Sequence, residues 1–208
     1  MQLRVAGCVA VILTAALSGP AFSQSSPREI VDVREIMPDL AIDSRYGTPD
    51  NFLDQKLYSA DSSRSYLLLG AVLALRDVRA GLKGLGYDMK IWDGYRPRSV
   101  QYLMWEILPD PRFVADPASG SNHNRGSAVD VTLIDPVTRE ELDMGTYFDD
   151  FTDAAGHGYA DLPFEVLVRR AHLRSTMDSY EFSSLFTEWW HYSYNLALGY
   201  PLKDYQTK

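Results

Sequence analysis

Three side chains in this sequence have the types and spacing of a metal site. His123 and Asp130 lie in Ser121-Asn122-His123-Asn124-Arg125-Gly126-Ser127-Ala128-Val129-Asp130, and His191 closes Glu188-Trp189-Trp190-His191. Two imidazoles and one carboxylate suit Zn²⁺ and leave a fourth position open for water or substrate, which favours catalysis over a closed structural site. Glu188, three residues before the last ligand, is placed to act on such a water as general base. Neither spacing is specific alone, but their combination in a chain with 4 His defines a candidate site. The other histidines, His157 in a Gly-flanked loop and His172 within a helical pattern, have no motif around them and stand as alternative ligands.

Secondary elements must bring these distant residues together. Residues 131–134 read as a buried strand, so Asp130 is expected at the start of a rigid element. Residues 187–194 are aromatic-rich and favour a strand. Side chains alternate along a strand, which would send Glu188 and His191 to opposite faces. Either a bulge or a helix is needed there to bring both to one metal. Upstream, residues 30–40 open with a short strand, and residues 41–58 form a long loop rich in turn residues. Asp61 or Ser62 is expected to cap a helix to about residue 85, with Leu68, Val72, Leu75, Val78 and Leu82 as its apolar stripe. A strand over 87–92 delivers Asp93-Gly94-Tyr95-Arg96-Pro97, and Ser99 caps a second helix to about residue 108. Pro163 opens a third to about residue 177, with Phe164, Leu167, Val168 and Ala171 facing the core. The fold class is α+β: a single domain whose small, mostly antiparallel sheet carries the metal site, with helices packed against it.

These motifs resemble a known family. Ser121-x-His123-x-x-Gly126-x-Ala128-x-Asp130 followed by Glu188-x-Trp190-His191 is similar to the zinc signature of the D-Ala-D-Ala metallopeptidases, which include D,D- and L,D-carboxypeptidases. Arg45-Tyr46-Gly47-Thr48-Pro49-Asp50-Asn51-Phe52 and Asp93-Gly94-Tyr95-Arg96-Pro97 narrow the resemblance to D-alanyl-D-alanine dipeptidases of the VanX type. It spans most of the chain and implies one Zn²⁺ per chain, held by His123, Asp130 and His191, with Glu188 as catalytic base. It further implies that Arg96 stabilises the oxyanion, the alternative being a surface Arg paired with Asp93. Met144-Gly145-Thr146-Tyr147-Phe148-Asp149 resembles the stretch whose Asp receives the substrate ammonium. Asp149 takes that role here, with Asp150 a neighbouring competitor and a solvated surface carboxylate the plainer reading. Ser121 is expected to hydrogen-bond substrate or simply to shape a turn. Tyr46, with Asn51 and Phe52, is expected to wall the substrate pocket.

The implied substrate is the small dipeptide D-Ala-D-Ala. A carboxylate that binds the free ammonium leaves a longer peptide without a partner for that charge. Two other readings remain. A D,D- or L,D-carboxypeptidase acting on peptidoglycan stem peptides would share the zinc residues but have an open cleft and no ammonium-binding Asp. A non-catalytic zinc module that binds peptidoglycan would need neither Glu188 nor Arg96.

Residues 1–23 read as a secretory signal: Arg4, an apolar run over 5–17, and Ala21-Phe22-Ser23 as cleavage site. The apolar run is too short to span a membrane, so no stable membrane insertion is expected. The domain would then be residues 24–208, exported and periplasmic. The only Cys, Cys8, falls within the signal, which excludes disulfide and thiol chemistry from the mature chain. A net charge of −8 argues against nucleic acid or an anionic membrane as partner.

Overall fold

The sheet that carries the candidate ligands has five strands. In this computed structural model, which describes residues 26–58, 61–203 and 205, they are β2 (Ala41–Ile42), β4 (Asp88–Asp93), β5 (Ala128–Ile134), β6 (Phe182–Leu185) and β7 (Glu188–Tyr194). Their order is β2-β4-β5-β7-β6, antiparallel throughout except for β2 beside β4. A separate antiparallel pair joins β1 (Ile30–Asp32) to β3 (Tyr66–Leu68). Three helices complete an α+β domain: α1 (Leu69–Gly84), α2 (Arg98–Ile107) and α3 (Phe164–Ser179). Among the described residues no helix is long and apolar enough to cross a membrane. The signal-peptide reading of residues 1–23 lies outside them.

Alternation along β4 and β5 divides the sheet. Met89, Ile91, Val129, Val131 and Leu133 are fully buried with Leu75 and Leu82 of α1 and Leu173 and Met177 of α3 in the main core. The intervening Asp130 and Thr132 fall on the other face. The α1 stripe is buried as its spacing predicts, but the helix begins at Leu69 rather than near Asp61. Tyr66–Leu68 instead pairs with β1, and the Asp61 carboxylate accepts from Ser63 N and Oγ, both at 2.9 Å, capping a turn. Local capping preference here yields to a tertiary strand pairing.

The buried face of α3 also differs from expectation. Phe164 is 74% exposed and Ala171 is exposed. The inward residues are Val166, Arg170, Leu173 and Met177. An arginine in the middle of the stripe displaces the apolar periodicity. Arg170 is buried but held by main-chain carbonyls: Nε donates to Met144 O at 2.7 Å and Nη1 to Ala154 O at 2.9 Å. Its guanidinium lies 5.5 Å from the Trp189 ring centroid. Burial pulls its pKa down to about 10, the cost of desolvating a cation with no carboxylate bonded to it. Arg170 thereby pins both ends of the segment that contains Asp149.

Arg79 solves the same problem with carboxylates. Its Nε and Nη2 donate to Asp88 at 2.7 and 2.8 Å, while Nη1 and Nη2 reach Asp39 at 2.8 and 3.0 Å. Burial alone would raise the Asp88 carboxyl, but the bonds from Arg79 and Met89 N outweigh it and the net shift is downward.

Two predictions follow from these buried cations. Asp88→Asn leaves Arg79 short of charge and should cost about 3–5 kcal/mol in denaturant unfolding at neutral pH. Because the folded Asp88 pKa is depressed, its contribution is present above the ordinary carboxyl range and fades as pH falls through the folded value, so wild type and variant should converge in acid. Arg170→Met should speed amide exchange across residues 144–156 more than in the sheet core; equal acceleration everywhere would rule out the local clamp.

Candidate metal centre

The site is assembled by register. Asp130 on β5 pairs directly with His191 on β7, which sets their side chains on one face. His123 comes from a 3-10 turn, His123–Arg125, that ends in Gly126 at φ +72, a left-handed conformation suited to glycine. The turn folds back so that His123 reaches the strand pair. Asp130 Oδ1 lies 3.0 Å from His191 Nδ1 and 3.4 Å from His123 Nε2, and the two nitrogens are 3.1 Å apart. Donors about 2.0–2.2 Å from one tetrahedral ion stand about 3.3–3.6 Å from each other, so Zn²⁺ fits this cluster once its donors spread by roughly a few tenths of an ångström. Among the described residues this is the His/Asp/Glu cluster able to hold a metal. His157 rests against the Tyr192 ring and His172 against Tyr87, so neither alternative ligand joins it.

The remaining ring nitrogens are fixed as ligands require. His123 Nδ1 donates to Gly94 O at 2.7 Å, which leaves Nε2 as the lone pair facing Asp130. Gly94 cannot carry a side chain there: a Cβ would meet Ser65 and stand 2.9 Å from Tyr66 O. His191 Nε2 faces Ser193 Oγ at 3.4 Å, and Ser193 in turn accepts from Asn122 Nδ2 at 3.0 Å. Burial pushes His191 down toward the neutral, coordinating form. Burial opposes the charge of Asp130, but the two imidazoles overcome it and hold the carboxyl well below its ordinary range.

β7 is a strand, and an irregularity resolves the facing problem. Ser184 pairs with Tyr192, yet the next β6 residue, Leu185, pairs with Glu188, so residues 189–191 are extra on the β7 side. Glu188 is thereby brought to the metal face, its Oε2 4.0 Å from His191 Nδ1. Its carboxyl is pushed well above the ordinary range, first by burial, then by the charges of Asp130 and Asp149.

Arg96 pairs with Asp93, as the plainer reading held, but it is buried at the site rather than on the surface. Nε and Nη2 donate to Asp93 Oδ2 at 3.1 and 2.9 Å, Nη1 donates to Gln101 at 3.1 Å, and Nη2 is 4.0 Å from Asp130. The guanidinium stacks 4.9 Å from the Tyr46 ring centroid. Tyr58 completes the support, donating to Asp93 at 2.6 Å. Sequence reading missed Tyr58, Gln101 and Ser193; only Ser193, two residues after His191 on a strand, was inferable from spacing.

Arg96, His123, Asp130, Glu188 and His191 share a cavity of about 350 Å³, within the usual range for ligand sites. Asp149 also lines it, accepting from Tyr46 Oη at 3.0 Å and from Phe52 N at 3.4 Å. Its carboxyl is raised to about 7, mainly by burial and then by the Asp130 charge. Asp150 instead accepts from Thr152 N at 2.9 Å in a turn. Ser121 lines the same cavity, and its Oγ also accepts from His123 N at 3.2 Å, so it shapes the turn as well.

A family model described as D-Ala-D-Ala dipeptidase, Peptidase_M15, matches residues 26–206. D-alanyl-D-alanine dipeptidase from Escherichia coli K12 is 34% identical over 178 residues, covering 86% of this chain and 91% of the relative. The enzyme of that name from Enterococcus faecalis V583 is 31% identical, covering 76% of this chain and 87% of its own. A third, from Streptomyces coelicolor, is 34% identical over 77% of this chain and 89% of its own. With a metal-binding triad, a buried acid beside it and a match over nearly all described residues, the chain belongs to the Peptidase_M15 family of D-Ala-D-Ala dipeptidases.

Proposed function

We propose that this protein hydrolyses the free dipeptide D-Ala-D-Ala to two D-alanines, with Zn²⁺ held by His123, Asp130 and His191. The observation that carries the reading is a single cavity containing the ligand cluster, the buried Glu188 and a second, half-buried acid, Asp149, braced by Tyr46. An open-cleft carboxypeptidase has no use for an acid there, and a binding module has no use for Glu188 and Arg96 together.

Zn²⁺ held by His123, Asp130 and His191 would supply a water acidified toward a pKa of about 7 and polarise a carbonyl. The chain supplies the rest. Glu188 takes the proton of the attacking water and returns it to the leaving amine as the peptide bond breaks. Arg96, fixed by Asp93 and Gln101, stands over negative charge developing on the carbonyl oxygen. Asp149 and the Tyr46 hydroxyl hold the substrate ammonium. That cation favours the ionised carboxylate, so substrate binding draws Asp149 down from its raised pKa. Ser121 is positioned to bond the substrate backbone.

The reading of residues 1–23 as a secretory signal supports an exported, periplasmic enzyme acting in cell-wall turnover or in scavenging released dipeptide. Recovery of the mature protein from the cytoplasm after fractionation would contradict this.

Hydrolysis of D-Ala-D-Ala beside N-acetyl-D-Ala-D-Ala tests the substrate assignment. The zinc-loaded enzyme should cut the free dipeptide and leave the blocked one, whereas equal cleavage of both would favour the carboxypeptidase. Glu188→Gln should lower kcat by about 10²–10⁴ with zinc content unchanged. Chelation should abolish activity and lower Tm, both returning with Zn²⁺.

A further inference from the structure

A second cavity, of about 810 Å³, adjoins the metal pocket, and the two share two lining residues, Phe52 and Asp149. These residues form a continuous wall. Phe52 N donates to Asp149 Oδ2 at 3.4 Å, and the Phe52 ring packs edge-on against Phe151 with centroids 5.2 Å apart. Asp149 in the wall has a left-handed backbone, φ +58, as does Asp54 nearby, φ +51. Left-handed conformations at non-glycine residues cost about 1–3 kcal/mol and persist where surrounding contacts impose them. Beyond the wall, four further carboxylates (Asp50, Asp54, Glu141 and Asp143) line the cavity; Arg45 pairs with Asp50 and Glu141 and Lys90 with Glu141, while among the described residues Asp54 and Asp143 have no ion pair.

The geometry points to Phe52 and Asp149 as a partition that limits the substrate to two residues, the space behind it being a preformed subsite for an N-terminal extension, preferably a basic one. This rests on the dipeptidase reading, in which the substrate amino group meets Asp149. A residue added to that amino group on the side of Asp149 meets this wall, because the same carboxylate and Phe52 line both cavities. Exclusion therefore has a steric part, from Phe52, and an electrostatic part, from an Asp149 left without its ammonium.

The test compares wild type, Phe52→Ala, Phe52→Leu, Asp149→Gly and the double variant Phe52→Ala/Asp149→Gly, each zinc-loaded, on D-Ala-D-Ala, N-acetyl-D-Ala-D-Ala and Lys-D-Ala-D-Ala. Asp149→Gly suits the left-handed backbone, so it keeps the comparison alive should the larger cavity at position 52 harm folding. Phe52→Ala should raise kcat/KM for the extended peptides relative to D-Ala-D-Ala by about ten-fold or more, and the double variant further, with the lysyl peptide gaining most. Phe52→Leu, which keeps most of the bulk, should preserve exclusion. Continued exclusion of both extended peptides by the folded, zinc-loaded double variant overturns the partition, whatever D-Ala-D-Ala activity remains. Failure of wild type itself to cut D-Ala-D-Ala would instead strike the functional reading.

Discussion

Everything at the site depends on the pairing of β5 with β7. That ladder sets Asp130 opposite His191, residues 61 apart in sequence, and makes a ligand pair out of two side chains that have no local relation. A slip of one residue would turn His191 to the other face and scatter the set. The helices hold the register through the opposite face, where Val129, Val131 and Leu133 are fully buried. Packing on one face of the sheet thus enforces chemistry on the other. The irregular stretch of β7 against β6 admits Glu188 to the metal face, and a second irregularity, between Ile91 and Asp93 on β4, sits where that strand meets Asp130.

The second constraint is the cost of burying charge. Asp93, Arg96, His123, Asp130 and Glu188 are all buried within one region. Such groups are tolerable only when each finds partners. Asp93 is met by Arg96, Tyr58 and Gly94 N; Arg96 is shared with Gln101; His123 is tied to Gly94 O. Glu188 and Asp149 are the exceptions, both pushed upward because burial and neighbouring carboxylates outweigh their few donors. Those two are also the groups whose partners the proposed chemistry would provide, a cationic site for one and an ammonium for the other. Charge that the protein leaves unsatisfied marks where ligands belong.

Farther out, Arg170 shows how a buried cation is used to shape a loop. Holding carbonyls at the two ends of the segment around Asp149, it lets a strained residue stand in the pocket wall without regular secondary structure.

Much was legible in the residues themselves. The spacing in Ser121–Asp130 and Glu188–His191, the apolar stripe of α1, the strand character of residues 87–92 and the turn at Asp93–Pro97 all rest on local rules of periodicity, capping and donor type. Those rules alone could not decide how Glu188 and His191 share a face, because a bulge arises from the register of β7 against β6. They misplaced the start of α1, since β3 exists only through pairing with β1, and the buried face of α3, since Arg170 draws its stability from carbonyls outside its own helix. Tyr58 and Gln101 were invisible for the same reason: their importance lies in reaching Asp93 and Arg96 across the fold. Sequence determined which groups are available for chemistry, and tertiary pairing decided which of them meet, because contacts between distant residues are set by register and packing rather than by spacing.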